Sequence, residues 1–291
     1  MTIYFSDFLK KIDRGKFIAK ELKNILGRAK WEEIPDTNKN EWCRDYMPVK
    51  GYGGHLVLFK YSPSYIVGRT TLEKTIPNQK EICKSLGLKY EESNVILDGG
   101  AIEILDDIGI VSDRLIAENC SSWVELRPSV LIEIQKKLKL AKLVVVPSDP
   151  WDFTGHVDGM VRFIDRNTVL INDSSTLDIA IKECTEQEQK RYKIWKYNFH
   201  SSLKNAGLKV EILPCAVSSN KDDKDTDATG IYLNFLLLDD KIIMPSYLQY
   251  PDYNIAAEEK LKQLYKREVF PIEATLLAQH GGIINCVTWV V

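Results

Sequence analysis

Apolar residues recur at three- and four-residue intervals in five stretches of the chain, with Lys and Glu filling the intervening positions. These stretches, 7–26, 71–86, 128–140, 186–206 and 255–268, read as amphipathic helices, as in the Leu261, Leu264 and Tyr265 stripe. Pro128 suits a first helical turn, and Gly87 and Gly207 stand where C-terminal caps belong. Between the helices lie short β-branched runs ending at turn residues: 55–59, 95–97, 143–146, 168–171, 210–213, 241–244 and 284–291. The helix centres fall about 56 to 64 residues apart, and a fixed period of that kind suggests a repeat or ring of five strand-rich α/β units. A doubly wound sheet would alternate in the same way.

Composition narrows the class. The 291 residues carry 39 basic and 41 acidic side chains, for a formal charge of -2, and 44% are hydrophobic. That balance is globular and lacks the basic excess of a nucleic-acid surface. No apolar run approaches the ~20 residues of a membrane span, and residues 1–7 have neither a basic nor an apolar leader region. The six cysteines are scattered without a Cys-x-x-Cys pair, so reduced thiols in a cytoplasmic protein are expected. No linker rich in Pro, Gly or Ser divides the chain, which predicts one domain over 1–291. The stretch 218–230 reads as a solvated loop. Its Asp223, Asp225 and Asp227 fail as a calcium loop, because Ala228 and Asn234 stand where Gly and a bidentate Glu are needed.

Four segments could carry chemistry. Gly281-Gly282 precede Cys286, which then opens an apolar strand; a free cysteine there is either a nucleophile or a small buried hydrophobe. The segment from Asp149 to Gly159 includes Asp152 and ends in His156-Val157-Asp158. At strand spacing, its imidazole and carboxylate would point the same way, though both could instead satisfy the loop's own backbone. Trp42-Cys43-Arg44-Asp45 is either a surface ion pair beside a half-buried indole or part of a site. Asp98-Gly99-Gly100 reads as a turn between strands. His55, His200 and His280 look structural, and no metal-ligand spacing is present. Gly51-Tyr52-Gly53-Gly54 is not followed by a helix, which argues against a phosphate loop.

Taken in order, Trp42-x-Arg44-Asp45, an acidic-Gly-Gly turn, Gly155-His156-Val157-Asp158 and Gly281-Gly282-x-x-x-Cys286 resemble the agmatine deiminase and peptidylarginine deiminase family. Tyr232-Leu233-Asn234-Phe235, Ile242-Ile243-Met244-Pro245 and Phe270-Pro271-Ile272 are similar to its flanking context. The resemblance runs from about residue 40 to residue 291. It implies an α/β fold, the five-bladed pseudo-symmetric α/β propeller (pentein), and hydrolysis of a guanidinium to a ureido group plus ammonia through a covalent cysteine adduct.

Carried over, Cys286 matches the nucleophile, His156 the general acid/base, and Asp45 and Asp158 the carboxylates that grip the guanidinium. Asp98 stands where the family has a Glu that supports the histidine. Trp42, Asp152 and Gly282 are candidate substrate-binding residues, and the chemistry requires neither metal nor organic cofactor. The expected partner is a small guanidine-containing substrate, with no nucleic acid and no membrane; a homo-oligomer is open. Agmatine is the first expectation. Peptidyl or free arginine, amidino transfer to an amine, and a non-catalytic binding protein of the same fold are the alternatives. Three departures stand out: Tyr46-Met47-Pro48 for Thr-Gly-Pro, Gly99-Gly100-Ala101 for Gly-Gly-Asn, and Ile283-Ile284-Asn285-Cys286 for Asn-Ile-His-Cys. They suggest a different substrate tail around an intact reacting core.

Overall fold

The computed structural model describes residues 1–27, 31–35, 37–120, 127–216 and 227–291. The first nine positions of the 218–230 loop lie outside the described residues. Helix prediction holds at Asp13–Leu26, Arg127–Lys137, Glu186–Asn205 and Pro251–Tyr265. The longest of these opens with a capping box. The Glu188 backbone N–H donates to the Thr185 hydroxyl, while the Glu188 carboxylate accepts from the Thr185 N–H. Gly87 and Gly207 follow their helices at positive φ, as expected of C-terminal caps.

The stretch 71–86 is not one helix but two, Thr70–Glu73 and Gln79–Ser85. Pro77 falls between them, where it offers no N–H and restricts its predecessor; Asn78 then caps the second helix by accepting from the Glu81 N–H.

Among the described residues the strands form five three-stranded sheets. Their middle strands are Ile3–Ser6, Leu56–Lys60, Ile108–Ser112, Thr168–Asn172 and Lys241–Ser246. Each pairs antiparallel with a short strand on one side: Trp289–Val290, Val49–Lys50, Ile102–Leu105, Val161–Asp165 and Leu236–Leu237 respectively. On the other side lie Trp31–Ile34, Glu91–Ile96, Lys142–Val146, Lys209–Leu213 and Glu268–Glu273. Four of these pairings are recorded as parallel, reached by a helical crossover as parallel pairing demands. The predicted fivefold repeat is therefore one unit of strand, strand, helix and strand used five times. In the first sheet, the opening strand is supplied by the C-terminal segment, with Ile3 opposite Val290.

Two compact units divide the chain: Met1–Val145 with Cys286–Val291, and Val146–Asn285. The first contains a core of Tyr4, Ile34, Cys43, Tyr46, Met47, Leu56, Tyr61 and Trp289, among others. Among the described residues, no helix is long and apolar enough to cross a membrane.

Candidate active site

The repeat gives the candidate residues a common address. Asp45, Asp98, Asp158 and Cys286 each stand three or four positions before the short strand that opens a sheet, Val49–Lys50, Ile102–Leu105, Val161–Asp165 and Trp289–Val290. The remaining sheet, opened by Leu236–Leu237, has Asn234 two positions before its strand.

In the first unit three of these segments meet, through one side-chain carboxylate and one main-chain hydrogen bond. Asp45 sits on the short helix Cys43–Tyr46, whose apolar residues Cys43 and Tyr46 are fully buried. Its carboxylate is buried and accepts the Gly100 N–H at 3.1 Å. That approach is possible because residue 99 has no side chain: a Cβ there would lie 2.0 Å from the Arg44 carbonyl oxygen. The Arg44 N–H in turn donates to the Cys286 carbonyl at 3.1 Å. Asp98, also buried, accepts from the Tyr65 hydroxyl at 2.9 Å. Burial, and then the Asp98 charge, push the Tyr65 phenol well above its ordinary range, so it stays a proton donor.

Cys286 is 7% exposed, and it lies in a turn rather than at the head of a strand; the strand itself is only Trp289–Val290. Its neighbourhood cannot join a ladder. The Asn285 N–H is directed to Asn234, and the Cys286 carbonyl accepts from Arg44. Burial pushes the thiols of Cys43, Cys83 and Cys215 up to about 12, which keeps them protonated and unreactive at neutral pH.

In the second unit the residues from Asp149 to Gly159 are a loop held by its own side chains. Asp152 accepts from the Thr154 N–H at 2.8 Å and hydroxyl at 2.7 Å through one oxygen, and from the His156 N–H at 3.2 Å through the other. The carboxylate expected to meet substrate thus organises the approach to His156. His156 and Asp158 are both buried, but on a turn closed by the Val161 N–H to Val157 carbonyl bond, not at strand spacing. Asp158 reaches a distant partner: the Asn285 side-chain amide donates to it at 2.7 Å across 127 residues. At the head of the loop, burial raises the Asp149 carboxyl to about 6, against the opposing effect of the Trp151 N–H it accepts; the nearby Asp152 charge raises it further.

The other expectations divide. Trp42 is half-buried, with its backbone N–H on the Asn40 side chain at 2.9 Å. Gly282 is buried immediately before the cysteine turn. Tyr46 and Met47, expected to alter substrate preference, belong to the core beside Tyr61 and Trp289, so this departure is a packing exchange. His55 and His280 bond main-chain carbonyls, as structural histidines do. Sequence reading passed over Asn234 as a site position, along with Asn285 and Tyr65. Aligning the five units on their opening strands would have exposed Asn234; nothing local marks Tyr65.

The profile of the Porphyromonas-type peptidyl-arginine deiminases matches residues 16–291. A Streptococcus mutans serotype c protein provisionally named agmatine deiminase is 27% identical over 311 aligned positions, spanning 90% of this chain and 77% of that protein. The structure of C. jejuni agmatine deiminase is 15% identical with a TM-score of 0.70, covering 99% of this chain and 92% of that one. A cysteine-to-serine variant of the C. jejuni protein, solved with substrate bound, is 16% identical with a TM-score of 0.69 over the same shares, 99% and 92%. The fold is that of the pentein class, in agreement with the five repeated sheets.

Proposed function

Because the chain belongs to the Porphyromonas-type peptidyl-arginine deiminase family, we propose that it hydrolyses a guanidinium group to a ureido group and ammonia, with agmatine converted to N-carbamoylputrescine. Residues 1–291 act as one catalytic domain in this reading. The observation that carries it is the shared address of Asp45, Asp98, Asp158 and Cys286 before the opening strands of repeated sheets. Chemically distinct groups at equivalent positions of a repeat are the mark of a site, whereas packing alone would favour equivalent apolar residues there. The agmatine deiminase names of the S. mutans and C. jejuni relatives, and the substrate bound to the latter's cysteine variant, support the same choice.

The residue types suit the reaction. A guanidinium is planar and permanently charged, and its N–H pairs match carboxylates two at a time, a task assigned to Asp45 and Asp158. The Cys286 thiolate attacks the guanidinium carbon, and the C–N bond breaks as His156 delivers a proton to the departing ammonia. His156 then takes a proton from water as the water oxygen adds to the same carbon of the S-linked amidinium adduct. Loss of the thiolate leaves the ureido group. Across both steps one water is consumed and one ammonia is released. Trp42 offers an aromatic face to the cation, and Asp98, held by Tyr65, supports the histidine. Gly282 lets main chain approach the ligand, and Asp152 holds the His156 loop.

The test is ammonia release and ureido formation from agmatine, free arginine and an arginyl peptide, without added amine, beside Cys286→Ala. Product from agmatine that disappears in the variant is the expected result. No product from any of the three would overturn the reading, and product only when an amine is supplied would replace hydrolysis with amidino transfer.

A further inference from the structure

We infer that Asn285 is a positioning residue: it fixes the Asp158 carboxylate and registers it to the nucleophile that follows in the chain. The inference rests on the guanidine-hydrolase reading above. Asn285 is buried, and its side-chain Nδ2 donates to Asp158 Oδ2 at 2.7 Å. A carboxylate only accepts, so the amide nitrogen must face it, and the short distance is that of a charge-assisted bond. The same residue is held from behind. Its backbone N–H donates to Asn234 twice, to the carbonyl at 3.2 Å and to Oδ1 at 3.1 Å. Asn234 is itself buried, just before the Leu236–Leu237 strand.

This leaves Asn285 little freedom to adjust. The peptide bond joining it to Cys286 is then fixed on both flanks. On one side Asn285 holds Asp158; on the other the Cys286 carbonyl accepts from Arg44, the neighbour of Asp45. The Asp158 carboxylate is thus tied, through one hydrogen bond, to the residue that precedes the nucleophile. A buried Asn placed only for packing would need no partner 127 residues away, and a fold-stabilising role alone would not select a gripping carboxylate as that partner.

The grip acts on the cation before and during reaction, so loosening it should raise KM with little change in kcat. Asn285→Asp keeps the shape, removes the donor and sets a second carboxylate against Asp158. KM for agmatine is expected to rise about 30-fold or more, the range of a lost charge-assisted bond plus repulsion. Asn285→Ala should raise it about tenfold while melting near the wild type, and this variant carries the test if Asn285→Asp does not fold. Asn285→His should keep KM within about threefold, since a donor is restored. A wild-type KM in both Asn285→Asp and Asn285→Ala, a loss confined to kcat, or a His variant as impaired as the Asp variant would each overturn the inference.

Failure of the functional reading is a separate outcome, seen as wild-type inactivity on all three guanidines. In that case a substrate-free crystal structure of Asn285→Ala decides the role of Asn285. The Asp158 carboxylate must turn from its wild-type direction; an unchanged orientation would overturn the positioning role.

Discussion

The two compact units hold their chemical residues by different means. In the first, the Arg44 N–H donates to the Cys286 carbonyl and the Asp45 carboxylate accepts the Gly100 N–H, across a close main-chain approach at a glycine with no room for a methyl group. In the second, the residues before His156 are tied by side chains, with Asp152 accepting from Thr154 and from the His156 N–H. Main-chain contacts survive most substitutions but tolerate no added bulk at the point of approach. Side-chain ties accept bulk but are lost with a single atom exchange. The first unit is therefore geometrically brittle at Gly99, and the second chemically brittle at Asp152.

Four experiments would break or sharpen that contrast. The largest effect belongs to Cys286→Ala, expected to reduce turnover on the order of 10⁴-fold or more with an unchanged melting curve. In the unreplaced enzyme, a haloacetamidine probe should label Cys286 ahead of Cys43, Cys83 and Cys215, whose thiols burial holds protonated. Peptide mapping of the label to one of those three would contradict the assignment.

Gly99→Ala comes next, at about 3 kcal/mol of destabilisation, because its methyl group would meet the Arg44 carbonyl oxygen. The matched change in the other unit is Gly159→Ala, where an added Cβ meets nothing within 4 Å. Its cost should stay within about 0.5 kcal/mol by denaturant titration. Equal costs at the two positions would erase the contrast.

Asp45→Asn should raise KM about 10- to 100-fold, since a neutral amide replaces one charged acceptor of the guanidinium. A near-normal KM would remove Asp45 from the grip.

The smallest effect is a pH dependence in the self-tied loop. The folded Asp149 carboxyl titrates near 6, above its unfolded value of 3.8. Between those values the folded state binds more protons than the unfolded one, so stability falls as pH rises through the window and levels off above about 6. Asp149→Asn removes that penalty, for a gain of about 2 kcal/mol at pH 7 that disappears below pH 4. Thermal melts at the two pH values measure it, and an equal gain at both would refute the titration.

Much of the architecture was legible because it is written in periodicity. The four long helices, the strand cores and the period of about 58 residues all follow from apolar spacing. Where the reading failed, non-local bonds had taken over the main chain. Residues 284–287 are apolar enough for a strand, yet the Asn285 N–H is engaged by Asn234 and the Cys286 carbonyl by Arg44. Residues 156–158 alternate like a strand but turn through the Val157 carbonyl. The motifs singled out the candidate residues, since the proposed chemistry is type-specific. Their supports were hidden, because an Asn such as Asn234 or Asn285 has no local signature until its partner is known. Tyr46 shows the reverse case: a departure from a family motif was read as a change in substrate preference, although its side chain is core.

The pairing of Ile3 with Val290 joins positions separated by nearly the whole chain. Such closures carry the largest loop entropy and are reached late in folding. The strand they complete, Trp289–Val290, anchors the cysteine turn, and the Trp289 indole N–H fastens it to the Pro48 carbonyl at 2.7 Å. Helices can therefore gather early in folding while the Cys286 sulfur, the proposed nucleophile, is still unplaced. During refolding, catalytic competence should return with the slowest phase, well after the far-ultraviolet helix signal. Activity in this protein is then a clock for the last event of folding.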